Sequence, residues 1–212
     1  MSGTNTEKRC KVLVIIGTRP ELIKNYSVIQ ELKSDPAIET IVCFTGQHKE
    51  LLSLVNADLK IISDITIKTS YHNLSNTFLY LFKRVNKVVE TIKPDLILVQ
   101  GDTISVLVGA LSGKLNEIKV GHIEAGVRSN SLKDPYPEEI IRVMVDVLSD
   151  LHFVPSKVEK ENLDKMGYNF PKVIETGNTV IDALKCINRE ELMPIKTNDI
   201  LVPEGFVELC NN

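Results

Sequence analysis

The chain has 212 residues, 43 % hydrophobic and 25 % charged, which is enough apolar material for one sizeable core and too balanced for disorder. Lys and Arg number 25 against 28 Asp and Glu, a net charge of −3, so the basic excess of a nucleic-acid-binding protein is missing. There is no Trp, and no apolar run reaches the roughly 18 residues that span a bilayer, so stacking platforms and membrane spans are not expected.

Residues 1–8 form a polar tail in which no secretory leader is read. The first strand is expected over Lys11–Ile16, a continuous β-branched run suited to a strand covered on both faces. A helix follows over Arg19–Lys33, then strand Thr40–Phe44, a short helix His48–Val55 and a weak strand near Leu59–Ile62. The polar stretch Ser63–Tyr71 suggests no element. Asn73–Ile92 reads as a long amphipathic helix, stopped by Pro94. Strand Asp95–Val99, helix Thr103–Lys114, strand Lys119–Ile123 and helix Glu138–Leu148 come next. Strand Leu151–Val154, helix Lys157–Met166 (opened by a Ser156/Glu159 capping box), strand Lys172–Glu175 and helix Thr179–Cys186 complete the series. This alternation defines an α/β fold with a doubly wound, mostly parallel sheet over residues 9–187. Residues 188–212 read as a tail, with Asp199–Val202 a candidate strand. Cys10, Cys43, Cys186 and Cys210 form no CxxC pair, so reduced thiols in a cytoplasmic setting are expected and a zinc site is not.

In an open parallel sheet, ligands bind beyond the carboxyl ends of the strands. The turns there contain Gly17-Thr18-Arg19-Pro20-Glu21, Thr45-Gly46-Gln47-His48, Gln100-Gly101-Asp102-Thr103, Glu124-Ala125-Gly126-Val127-Arg128, Pro155-Ser156 and Thr176-Gly177-Asn178-Thr179. Thr18 and Glu21 read as a capping box. Arg19 beside a helix N-terminus suits phosphate oxygens, and Lys24 either adds charge there or is solvated. With a single Gly, the first turn is neither a dinucleotide fingerprint nor a P-loop. Asp102 is either a helix N-cap or a ligand-facing carboxylate. Glu124 precedes a loop rather than a helix, so capping explains it less well. His122 lies two residues before Glu124, so both should share one strand face, although a histidine there is also a normal core residue. The loop to Pro135-Tyr136-Pro137 reads as a stiff extended lead-in that ends in two acids, Glu138 and Glu139, at a helix start.

These motifs, with Gly121-His122-Ile123-Glu124-Ala125-Gly126 and Thr176-Gly177-Asn178-Thr179-Val180-Ile181-Asp182-Ala183-Leu184, resemble those of the non-hydrolysing UDP-N-acetylglucosamine 2-epimerases in order and spacing over residues 11–187. The resemblance implies a Rossmann-like domain, one half of a two-domain glycosyltransferase-B-like fold. It implies interconversion of UDP-GlcNAc and UDP-ManNAc by elimination and re-addition of UDP, with no metal or other cofactor. It assigns Asp102, Glu124 and Glu138 to acid/base work. Arg19 and Lys24 fall near the diphosphate, and His122, Arg128 and Arg142 are further substrate-binding candidates. Gln47 and Glu50 fall in a motif that contributes to an allosteric UDP-GlcNAc site in bacterial members. A homodimer is also implied. Ile141 stands where the family usually has Asn, so a local contact should be lost. The family's second domain supplies most of the uridine site and a catalytic histidine, and its pattern is not continued beyond Pro203, so the chain is expected to be an incomplete enzyme. The alternative is a nucleotide-sugar-binding or regulatory module with impaired catalysis; a glycosyltransferase donor domain is favoured by fold analogy alone.

Overall fold

A computed structural model describes residues 9–46, 61–69 and 73–186. The elements run β1 (Cys10–Ile16), α1 (Arg19–Ser34), β2 (Ile38–Phe44), β3 (Ile65–Thr66), α2 (Leu74–Ile92), β4 (Leu96–Gln100) and α3 (Ile104–Leu115). They continue with β5 (Lys119–Ile123), α4 (Glu138–Leu148), β6 (Leu151–Val154), α5 (Lys157–Lys165), β7 (Val173–Glu175) and α6 (Thr179–Cys186). The seven strands form one parallel sheet in the order β3-β2-β1-β4-β5-β6-β7. This is a Rossmann-like doubly wound arrangement, and its order reverses between β1 and β4.

The continuous apolar runs follow from this layering. In β1, Leu13 and Ile15 face the cluster built by α2, α3 and α4, whereas Val12, Val14 and Ile16 face Leu22 and Ile29 of α1. Successive strand residues point to opposite faces, and both faces are dry, so no polar residue is tolerated from Val12 to Ile16. Helix α2 stacks Leu81, Val85 and Val89 into the core at helical spacing, and Asn73 caps it by accepting from the Asn76 N–H at 2.8 Å.

Three expectations change. Strand β3 lies inside the stretch read as having no element; two residues are too few to display a period, and only pairing with Cys43 and Phe44 defines it. Of the expected strand Leu59–Ile62, the described Ile61 and Ile62 are irregular. The lead-in to α4 is a series of turns and bends instead of an extended run, and the peptide bonds before Pro135 and Pro137 are both cis. The expected helix His48–Val55, both tails and the candidate strand Asp199–Val202 lie outside the described residues. The Ile141 side chain is buried in the core with Val145, so this position serves packing.

Two glycines have positive φ in very different surroundings. A Cβ on Gly126 (φ +78°) would stand 2.3 Å from the Glu159 carbonyl oxygen, whereas one on Gly167 (φ +74°) would meet nothing within 4 Å. G126A should therefore lose about 2–4 kcal/mol and G167A no more than about 1–2 kcal/mol, since only the first adds a backbone clash to the conformational cost. Urea unfolding of the two variants checks this difference.

A candidate active site at the carboxyl rim

The turns after β1, β4 and β5, with α4, enclose a cavity of about 530 Å³. Its wall includes Arg19, Glu21 and Lys24 from α1, Gln100 and Asp102 from the end of β4, Glu124 from the end of β5, and Arg142 from α4. Residues more than a hundred positions apart thus meet at the point where strand order reverses.

Two ion pairs cross this cavity. Lys24 Nζ sits 2.9 Å from Glu124 Oε1 and 2.7 Å from Oε2, and Gln100 Nε2 donates to the same Oε2. Lys24 is therefore not a solvated helix residue. Arg142 pairs with Asp102 and, through Nη1 at 3.2 Å, with Glu139. Asp102 is not the cap of α3: Thr103 occupies that position, leaving the carboxylate to the cavity. Arg19 is exposed at the first position of α1 and makes no hydrogen bond or ion pair among the described residues. A free guanidinium at a helix N-terminus suits an anion.

Glu21 goes beyond the expected capping box. The Glu21 N–H does approach Thr18 Oγ1, at 3.5 Å, but its carboxylate reaches past Thr18 to accept from the Gly17 N–H at 2.6 Å. It also accepts from the hydroxyls of Thr18 (3.0 Å) and Thr103 (2.8 Å). Burial pushes this carboxyl up to about 7, against the pull of those hydrogen bonds.

His122 and Glu124 do not share a face. The strand ends at Ile123, and Glu124 adopts φ +67°, which turns its side chain into the cavity. His122 is fully buried instead, with Nδ1 2.6 Å from Asp146 Oδ1 and Nε2 2.8 Å from the Gly101 carbonyl oxygen. Arg128 also turns inward: Nη2 donates to Asp146 Oδ2 at 2.6 Å, and the residue does not line the cavity. Asp146 further accepts from the Gly126 N–H at 3.2 Å. Burial pushes the Asp146 carboxyl up, but His122 and Arg128 outweigh it and hold the group below the usual carboxylate range.

Glu138 is half-buried on the first turn of α4 and does not line the cavity. Its neighbour Glu139 is the buried one, accepting from the Ser129 N–H at 3.0 Å as well as from Arg142. Burial raises Glu139, yet the Ser129 and Arg142 bonds leave it lowered overall. Gln47 and Glu50 lie outside the described residues. Glu21, Gln100, Glu139 and Asp146 were not singled out as site residues from sequence. Glu21, Gln100 and Glu139 stand in the strand-end and helix-start motifs of the sequence; Asp146 offers only a weak signal, a charge one position after Val145 on the buried side of α4. No cluster of His, Cys, Asp or Glu able to hold a metal ion is found among the described residues. Nor is any helix there long and apolar enough to cross a membrane.

Fold and cavity together define a Rossmann-like domain whose ligand cleft combines carboxylates, their paired cations and a free arginine. The sequence profile of the UDP-N-acetylglucosamine 2-epimerase family matches residues 30–206, and the chain belongs to that family. A Bacillus subtilis UDP-N-acetylglucosamine 2-epimerase is 37 % identical over 185 residues, which cover 86 % of this chain and 49 % of that protein. The crystal structure of the Neisseria meningitidis UDP-GlcNAc 2-epimerase bound to UDP-GlcNAc superposes with a TM-score of 0.80 at 41 % identity, covering 82 % of this chain and 48 % of that one. A Methanocaldococcus jannaschii UDP-GlcNAc 2-epimerase in complex with UDP-GlcNAc and UDP gives 0.78 at 34 % identity, covering 82 % and 48 %. The chain spans about half the length of these relatives.

Asp146 compensates the Arg128 guanidinium and holds the buried His122 imidazole at once. D146N keeps the shape and removes the charge, so it should cost about 3–5 kcal/mol at pH 7. The folded carboxyl is lowered, so its contribution is complete above the unfolded value near 3.9 and fades as pH falls below it. The gap between D146N and the parent in urea unfolding should therefore narrow below about pH 4.

Proposed function

We propose that this cavity is the hexose and diphosphate half of a UDP-GlcNAc 2-epimerase site, converting UDP-GlcNAc to UDP-ManNAc. The observation that carries the proposal is the meeting of Asp102 and Glu124, each with its own cation, beside the free guanidinium of Arg19. A carboxylate takes the C2 proton. The C1–O bond breaks with its electron pair leaving on UDP, and a C1=C2 double bond forms. A second group then protonates the opposite face of C2, and UDP re-adds at C1. Such chemistry needs two proton-transfer groups and cationic help for the departing diphosphate. Arg19 and the α1 N-terminus supply the latter, with Lys24 close by. Glu124, braced by Lys24 and Gln100, and Asp102, braced by Arg142, are the candidate acid and base. Glu138 enters through family resemblance and stands outside the cavity wall.

Because the matched relatives are twice as long, we assign nucleotide-sugar binding to this domain and turnover to its pairing with a uridine-binding domain. A nucleotide-sugar-binding module without catalysis is the second reading; it rests on Glu124 and Asp102 being held by Lys24 and Arg142, which ties up both candidate proton-transfer groups. Calorimetry on the chain with UDP-GlcNAc should show saturable binding, weakened about 10- to 100-fold by R19A as a charge-assisted contact is lost. Deuterium appearing at C2 in D₂O once a uridine-binding domain is supplied selects the enzyme over the module, whereas absence of binding by the chain overturns both.

A homodimer is part of the same proposal. Leu79 on α2 and Leu115 on α3, 62 % and 63 % exposed, offer apolar surface to a second copy. Light scattering should give twice the chain mass, and a single-chain mass at high concentration overturns it.

A further inference from the structure

Glu21 differs from every other acid in the cavity wall. Asp102 has Arg142 and Glu124 has Lys24, but the partners described for Glu21 are two hydroxyls and one N–H, with no cation among them. It is 3 % exposed. Its carboxylate joins two separate turns, Gly17-Thr18 after β1 and Thr103 after β4. These turns carry Arg19 and Asp102 on their cavity side. Both protonation states fit this cradle. Ionised, the group accepts all three bonds; neutral, it still accepts from Gly17, while a threonine hydroxyl rotates to receive its proton.

The remaining charged groups facing this region are Arg19 and Lys24 from α1, Asp102 after β4, Glu124 after β5 and Arg142 from α4, with His122 buried behind Gly101. A diphosphate docking at Arg19 and the α1 N-terminus brings two negative charges into the cavity that Glu21 lines. The like charges disfavour the ionised carboxyl. We propose that Glu21 is a positioning residue that takes up a proton from solvent as the diphosphate binds, so that the brace between the two turns persists while its charge is removed. This inference rests on the nucleotide-sugar reading above. The upward displacement of Glu21 to about 7 by burial makes the exchange accessible at neutral pH.

The probe is UDP-GlcNAc, whose diphosphate diester has no ionisation between pH 6 and 8. Calorimetry on the full chain at pH 7, in two buffers of different ionisation enthalpy, should show uptake of about half a proton per site. Affinity should fall several-fold from pH 6 to pH 8, by at most about tenfold for one linked proton. E21Q imitates the neutral form, so it should bind equally at both pH values, take up no linked proton and exceed the parent at pH 8. Binding by the parent without proton uptake, or uptake retained in E21Q, overturns the proposal while leaving the nucleotide-sugar reading intact. Failure of both proteins to bind removes that reading and this proposal with it. Without ligand, the Gly17 and Thr103 amide resonances should titrate with one midpoint, shared with the Glu21 carboxyl ¹³C signal. Separate midpoints contradict the brace.

Discussion

Asp146 sits in a place where water cannot reach it, and its charge is balanced entirely by side chains and one backbone N–H. His122 and Arg128 both lean on it, and the Gly126 N–H completes its second oxygen. A buried carboxylate is costly unless it is paired and hydrogen-bonded, and here one cation and two further partners offset that cost. The arrangement transmits to the rim. His122 spends its other nitrogen on the Gly101 carbonyl, one residue from Asp102, and Gly126 closes the loop that begins at Glu124. Asp102 and Glu124 thus stand next to backbone that Asp146 anchors from beneath.

The cavity built on that base carries nearly balanced charge. Lys24 and Arg142 are engaged with Glu124 and Asp102, leaving Arg19 as the cation without a partner among the described residues. An incoming anion therefore meets one ready guanidinium and two cations already shared with acids. Lys24 and Arg142 keep N–H donors beyond those spent on Glu124 and Asp102, so an anion that engages them shares their charge with the two carboxylates.

The strands were legible because both faces of the sheet are covered. Leu96–Val99 and Val12–Ile16 have no room for polar residues, so their runs stand out without any period. The rim residues were legible because a parallel sheet delivers its strand ends to one side. What sequence could not show was which way each side chain turns once a strand has ended. Glu124 leaves the strand at a left-handed backbone position, so counting by twos from His122 misplaces it. Arg128 looked like a ligand-facing cation because its attraction to Asp146 is a tertiary fact, separated by 18 positions and half a helix. Likewise Glu138 and Glu139 are indistinguishable as letters; helix phase buries the second and leaves the first half-covered.

Helix α6 follows the edge strand β7, yet it packs against α1, which lies over β1, β2 and β4. Its Ala183 is buried. The last described helix therefore doubles back across the sheet and wedges the helix that bears Arg19 and Lys24. The helix that carries Arg19 and Lys24 is thus covered by a segment more than 150 positions downstream.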